Sequence, residues 1–246
     1  MEKLNRDNFV PTDEYEDYEK FRNYITKIGL DINCFYINED SLLNSAWYIE
    51  DYVTIPLHTL SEEYLEFIKI KEMIQKRKEL IEVRKKNKNY TGLFTLIEKP
   101  FRMAYFLNIY DELEATEFLE LFELVWSSCE YNFNLLSNED ILQRIEEIRS
   151  IKNIKDKLIK KYNIKNDVIT IYRGEADKST SFNNGAISWT LNYDIASFFA
   201  NRFRANNPKI YKANVLIKDI LMLIDNEQEV LVRKENLFNI EKINFL

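Results

Sequence analysis

Arg173 directly precedes one of only four glycines in the chain, in the run Tyr172-Arg173-Gly174-Glu175. A guanidinium is a planar fork that grips a phosphate through two parallel hydrogen bonds. Further on, Ser188 and Thr190 alternate in Ile-Ser-Trp-Thr, and Glu227 and Glu229 alternate ahead of Val-Leu-Val. If each segment is extended, alternate side chains share a face. A carboxylate in such a place can oppose a developing positive charge or take a proton. Each fragment also has an ordinary reading. Arg173 then makes a strand-end ion pair, and the two glutamates belong to a solvated turn.

Other chemistries have less to work with. Cys34 and Cys129 lie far apart with no CxxC spacing, which argues against a zinc site or a disulfide framework. His58 is the only histidine, and Thr-Ile-Pro-Leu-His-Thr-Leu carries no nucleophile motif, so it reads as a structural or surface residue. No metal is expected, and the chemistry rests on arginine, carboxylates and hydroxyls.

Taken in order, the segments resemble the arginine–serine–glutamate class of mono-ADP-ribosyltransferases, of bacterial toxin or phage effector type. The shared pattern is an aromatic-Arg-Gly at a strand end, a Ser-x-Ser/Thr strand, a helix carrying Phe-Phe-Ala, and a Glu-x-Glu entering a later strand. It covers the last third of the chain, from Asp167 to Leu246. The resemblance implies that NAD is the co-substrate and that Arg173 holds its pyrophosphate. Gly174 lets backbone reach the nicotinamide carboxamide. Ser188 positions the ribose and the catalytic Glu229, and Thr190 supports the strand. Glu227 removes a proton from an acceptor guanidinium. Phe199 is a candidate for stacking on nicotinamide, with a helix-core position as its alternative. The central motif departs from the family's Ser-Thr-Ser in reading Ser-Trp-Thr, and the approach to Glu227 is short.

The elements that would carry these residues change period along the chain. Up to about Tyr162 the sequence reads as helices. Residues 12–29 have Tyr15, Tyr18, Phe21, Tyr24, Ile25 and Ile28 near helical spacing, with Thr12 as a cap and Gly29 as a stop. Ser61 caps a long run ending in Lys- and Arg-rich sequence, and Pro100 suits a first turn. Phe118, Leu121, Phe122 and Val125 make a stripe that reads as packing core. Ser137 and Asp140 form a variant capping box before Ile141, Ile145 and Ile148. After Asn166 come β-branched runs: Asp-Val-Ile-Thr-Ile-Tyr, the long segment 209–224, Glu-Val-Leu-Val and Leu-Phe-Asn-Ile-Glu-Lys-Ile-Asn-Phe. The expected fold is α+β. A helical region 1–162, for target recognition or support, precedes a core 163–246 that the resemblance makes an ADP-ribosyltransferase-like β-sandwich with flanking helices.

The chain of 246 residues is 46% hydrophobic with a net charge of −7. That excludes a uniformly basic surface, leaving residues 69–89 as a local basic run. No apolar stretch approaches the roughly 20 residues needed to cross a bilayer. The polar, acidic N-terminus is unlike a signal or transit peptide. A cytoplasmic protein, bacterial or acting in a host cell, is the default expectation. The macromolecular target expected from the resemblance is a protein, with arginine favoured as acceptor and a nucleic acid as the other choice. An NAD glycohydrolase and a non-catalytic helical binding protein are the alternative readings.

Overall fold

The computed structural model describes residues 9–38, 45–129, 139–164, 166–177 and 179–243. The fold is α+β, and the chain divides into two compact units, Met1–Leu135 and Leu136–Leu246.

The N-terminal unit is not purely helical. It contains a four-stranded antiparallel sheet in the order β1 (Phe9–Pro11), β2 (Phe35–Asn38), β3 (Ala46–Glu50) and β4 (Val53–Leu57). Ala46, Trp47, Tyr48 and Ile49 are all buried, so this strand lacks the alternation that marks a half-exposed strand. Asp51 turns the β3–β4 hairpin with φ of +49°. Pro56 sits on β4, the edge of the sheet, where its missing N–H costs nothing.

Helices complete this unit. They are α1 (Tyr18–Ile28), α2 (Glu62–Phe67), α3 (Ile70–Lys86), α4 (Tyr90–Phe94), α5 (Lys99–Ile109) and α6 (Ala115–Ser128). Gly29 ends α1 in the left-handed region, as its position in sequence suggests. Thr12 does not cap α1. It is buried in a short 3-10 turn, and Asp17 stands at the cap. Ser61 caps α2 by accepting from the Tyr64 N–H, but Lys69, at φ of +52°, separates α2 from α3. Phe118, Leu121, Phe122 and Val125 are buried as the period requires.

In the second unit come α7 (Glu139–Ile148) and α8 (Ile154–Tyr162), and the expected cap Ser137 lies outside the described residues. A division at 162 would assign both helices to the N-terminal region, yet they belong with the C-terminal sheet. Ile154 and Leu158 of α8 enter that sheet's core, a destination their helical period cannot reveal.

The strands of this unit are β5 (Val168–Glu175), β6 (Ser188–Thr190), β7 (Lys209–Leu216), β8 (Ile220–Ile224), β9 (Glu229–Val232) and β10 (Phe238–Ile243). They form one antiparallel sheet in the order β10-β7-β5-β6-β9-β8. β5 and β7 pair along their whole lengths, whereas β5 and β6 meet at a single residue pair, Tyr172 with Thr190. The sheet is thus two three-stranded halves joined at a narrow seam. Ile171 and Val215 from one half and Trp189, Leu223 and Val230 from the other share one core. Helix α9 (Tyr193–Ala200) lies on β5, where Ala196 and Ala200 pack with Ile210 of β7.

Candidate active site

The seam brings the sequence-predicted residues together. Arg173 stands on β5, and Ser188 and Thr190 are the ends of β6. Glu229 opens β9, directly opposite Thr190 in the β6–β9 register. The Ser188 hydroxyl donates a short hydrogen bond to Glu229 Oε1. Glu229 is buried, so its carboxylate meets the site largely shielded from water.

Arg173 is not a free fork. Its Nε donates to Glu175 Oε1 at 3.1 Å, Nη1 to the Ser188 carbonyl at 2.6 Å, and Nη2 to the Thr180 carbonyl at 2.5 Å. Its side chain is 12% exposed, and that of Glu175 6%. Burial pulls the Arg173 pKa below its usual range, while Glu175 first and then Glu229 act to hold its charge in place. The strand-end ion pair is therefore real, and it coexists with the convergence on Ser188. A guanidinium has five N–H donors, so one remains on each terminal nitrogen.

Gly174 has a packing reason of its own, beside the role the resemblance implies. A Cβ added there would fall 1.9 Å from the Ala196 carbonyl oxygen and 2.6 Å from the Ala200 nitrogen. The glycine lets α9 lie directly on the β5 backbone. That contact accounts for the residue without any ligand.

Thr190 ties down the turn that precedes Glu229. Its hydroxyl donates to the Glu227 carbonyl at 2.8 Å and accepts from the Asn192 N–H at 3.2 Å. The Leu191 N–H donates to the Gln228 carbonyl at 2.9 Å. These bonds fix the β8–β9 turn, residues 225–228, against the end of β6.

Glu227 lies in that turn and not on an extended segment. Gln228 has φ of +49°, so strand alternation does not put Glu227 and Glu229 on one face. The Glu227 side chain reaches solvent, yet the protein around it pushes its carboxyl up, and Arg202 opposes the shift. Phe199 is half-buried, with the Arg202 guanidinium 5.6 Å from its ring centre and Phe198 edge-on at 5.6 Å. The buried face of α9 is made by Ala196 and Ala200.

Glu175 and Arg202 were absent from the residues singled out by sequence. Glu175 had a legible signal, since opposite charges two apart on a strand share a face. Arg202 had none, because its approach to Glu227 depends on where the 225–228 turn is held.

Of the remaining candidates, His58, Cys34 and Cys129 belong to the N-terminal unit. His58 is exposed, edge-on to Tyr64, and neither Cys34 nor Cys129 is in a disulfide. A cavity of about 720 Å³ is bounded by Arg149, Asn153, Lys155, Asp167 and Lys218. It lies toward the opposite end of β5, where Val168 pairs with Leu216, so it does not belong to the Arg173 cluster. Among the described residues no group of His, Cys, Asp and Glu is arranged to hold a metal ion, and no helix is long and apolar enough to cross a membrane. Comparison of the chain with protein-family models, curated proteins and solved structures found no match to any of them.

Proposed function

We propose that the protein is an NAD-dependent mono-ADP-ribosyltransferase whose active site is the seam between the two half-sheets. The observation that carries this reading is the buried Glu229 carboxylate held by the Ser188 hydroxyl, with Arg173 gripping the backbone of the same serine. A positioned carboxylate shielded from water suits a reaction whose transition state has oxocarbenium character. NAD, as substrate, supplies the ADP-ribosyl group and the nicotinamide leaving group.

Glu229 opposes the charge that develops at the ribose, and Ser188 keeps its carboxylate from rotating away. Glu227, at the solvent edge, takes the proton that an arginine acceptor must lose as its nitrogen bonds to the ribose carbon. Its raised pKa suits that work, because a base is most effective when its pKa lies nearer the working pH. Arg173 fits the reading less simply. Its shape and charge suit phosphate, but its three nitrogens already have protein partners, and only its two remaining N–H groups are left for a ligand. The accepting target is a macromolecule, with protein arginine favoured.

The test is incubation with NAD labelled in its adenylate part, in the presence of a cell lysate. Label on a macromolecule supports the transferase. Free ADP-ribose alone means a glycohydrolase at the same site. Intact NAD, with no label on any macromolecule, would leave a non-catalytic binding protein.

A further inference from the structure

We infer that Glu175 is a positioning residue that sets the catalytic carboxylate from a distance, through Arg173 and Ser188. This inference rests on the NAD-cleaving reading of the seam. Glu175 is 5% exposed and sits two residues after Arg173 on the same face of β5. One of its oxygens accepts both the Arg173 Nε–H at 3.1 Å and the Phe182 N–H at 2.8 Å. The carboxylate thus fixes the plane of the guanidinium and one end of the loop that follows β5.

The position of the seam gives this pair its purpose. Beyond the single pair Tyr172–Thr190 the two strands part, and the Ser188 carbonyl is met by Arg173 Nη1 in place of a backbone N–H from β5. Ser188 is therefore gripped twice, by its carbonyl on the Arg173 side and by its hydroxyl on Glu229. A guanidinium released from Glu175 can swing about its long side chain, and the serine would lose the contact that sets its height against β9. Two charges are costly to bury, and a hydrophobic pair of similar size would hold a core as well or better. What an apolar pair cannot do is aim three N–H donors in fixed directions. Glu175 touches no reacting atom in this scheme. Its effect reaches the ribose only through Ser188 and Glu229.

The experiment is a turnover cycle on the full chain with Glu175→Gln, Ser188→Ala and the double variant. Glu175→Gln keeps the acceptor oxygen but removes the charge. Its nicotinamide release should fall about ten- to a hundredfold in kcat, the loss expected from slight misplacement of a catalytic group. Its KM for NAD should stay within about twofold. In the Ser188→Ala background the same substitution should cost nothing further, because the chain of contacts is already broken. Losses that multiply, or a loss confined to KM, would overturn the inference.

Two measurements do not depend on turnover. The Arg173 Nε–H of the wild-type chain should exchange slowly and give a resolved nitrogen-15 signal, and rapid exchange would refute the pair outright, even if the variants do not fold. The carbon-13 carboxyl signal of Glu229 should move in Glu175→Gln and not move further when Ser188→Ala is already present. If the wild type leaves NAD intact, the functional reading falls, and this signal alone decides whether Glu175 positions Glu229.

Discussion

Replacing Gly174 with alanine tests the packing that brings α9 onto β5. Alanine restricts the unfolded chain, which by itself would stabilise the protein by about 0.4–1 kcal/mol. The new Cβ, however, would meet the Ala196 oxygen at 1.9 Å and the Ala200 nitrogen at 2.6 Å. Both are backbone atoms, so no rotamer change relieves them. The helix must retreat by about 1.5 Å to restore ordinary contact. Overpacking of this kind costs about 1–3 kcal/mol and sometimes more, which outweighs the entropic gain. The assay is thermal unfolding followed by Trp189 in a Trp47→Phe, Trp126→Phe background, so that fluorescence reports on the C-terminal unit alone. A fall in Tm of about 5 °C or more is expected. Gly185→Ala is the comparison. That glycine has φ of +91° with nothing within 4 Å, so only the cost of its backbone, about 1–2 kcal/mol, applies. A Gly174→Ala protein as stable as wild type, or more so, would refute the close approach of α9.

Glu229→Gln keeps the size of the side chain and removes its charge, so nicotinamide release should drop about a hundredfold or more while calorimetric NAD affinity stays near wild type; unchanged turnover in the folded variant would take the catalytic role from Glu229. Arg173→Lys cannot satisfy Glu175, Ser188 and Thr180 at once, and unfolding stability should fall by about 1–3 kcal/mol. Weakened NAD binding at full stability would instead return Arg173 to the role of a free phosphate clamp. Glu227→Gln should stop labelling of an arginine target but leave slow NAD hydrolysis. Because Arg202 counters the upward shift of the Glu227 carboxyl, Arg202→Gln should raise that pKa further and move the acidic limb of label transfer to higher pH. An unmoved limb would mean another group is the base. Burial, helped by Glu50 and Asp31, pushes the Cys34 thiol up to about 11. Its alkylation by iodoacetamide at pH 8.5 should therefore be more than tenfold slower in the folded chain than in urea, and equal rates would contradict that environment.

Most of the C-terminal strands were legible because they carry β-branched or aliphatic runs, and the short Ser-Trp-Thr strand was legible from its motif; their order along the chain placed Arg173, Ser188 and Glu229 on three of them. What the sequence could not convey was the partner of each side chain. The Arg173 fork looked free because its acceptors at Thr180 and Ser188 are backbone carbonyls, which every residue possesses. The packing role of Gly174 was hidden because the helix pressing on it lies some twenty residues further along the chain. Glu227 and Glu229 looked coplanar because an exposed turn and a strand start read alike in an alternating pair. In the N-terminal unit, Trp47, Tyr48 and Ile49 concealed a strand by being buried on both faces, leaving no period to find. The helix boundaries fared better wherever a cap was decisive, as at Ser61 and Gly29, since a side-chain bond or a left-handed residue stops a helix locally.

The order of strands across the C-terminal sheet has a consequence for how the chain can be divided. Going from β5 to β10, the backbone passes from one half-sheet to the other after β5, after β6, after β7 and after β9. Neither half is a contiguous stretch of polypeptide, so neither can be expressed, shuffled or lost as a module. A chain stopped after β9 would keep Arg173, Ser188 and Glu229 but would strip the edge strand from the half that holds Arg173. The two sides of the site are laced together by the path of the backbone, and they can only be inherited as one piece.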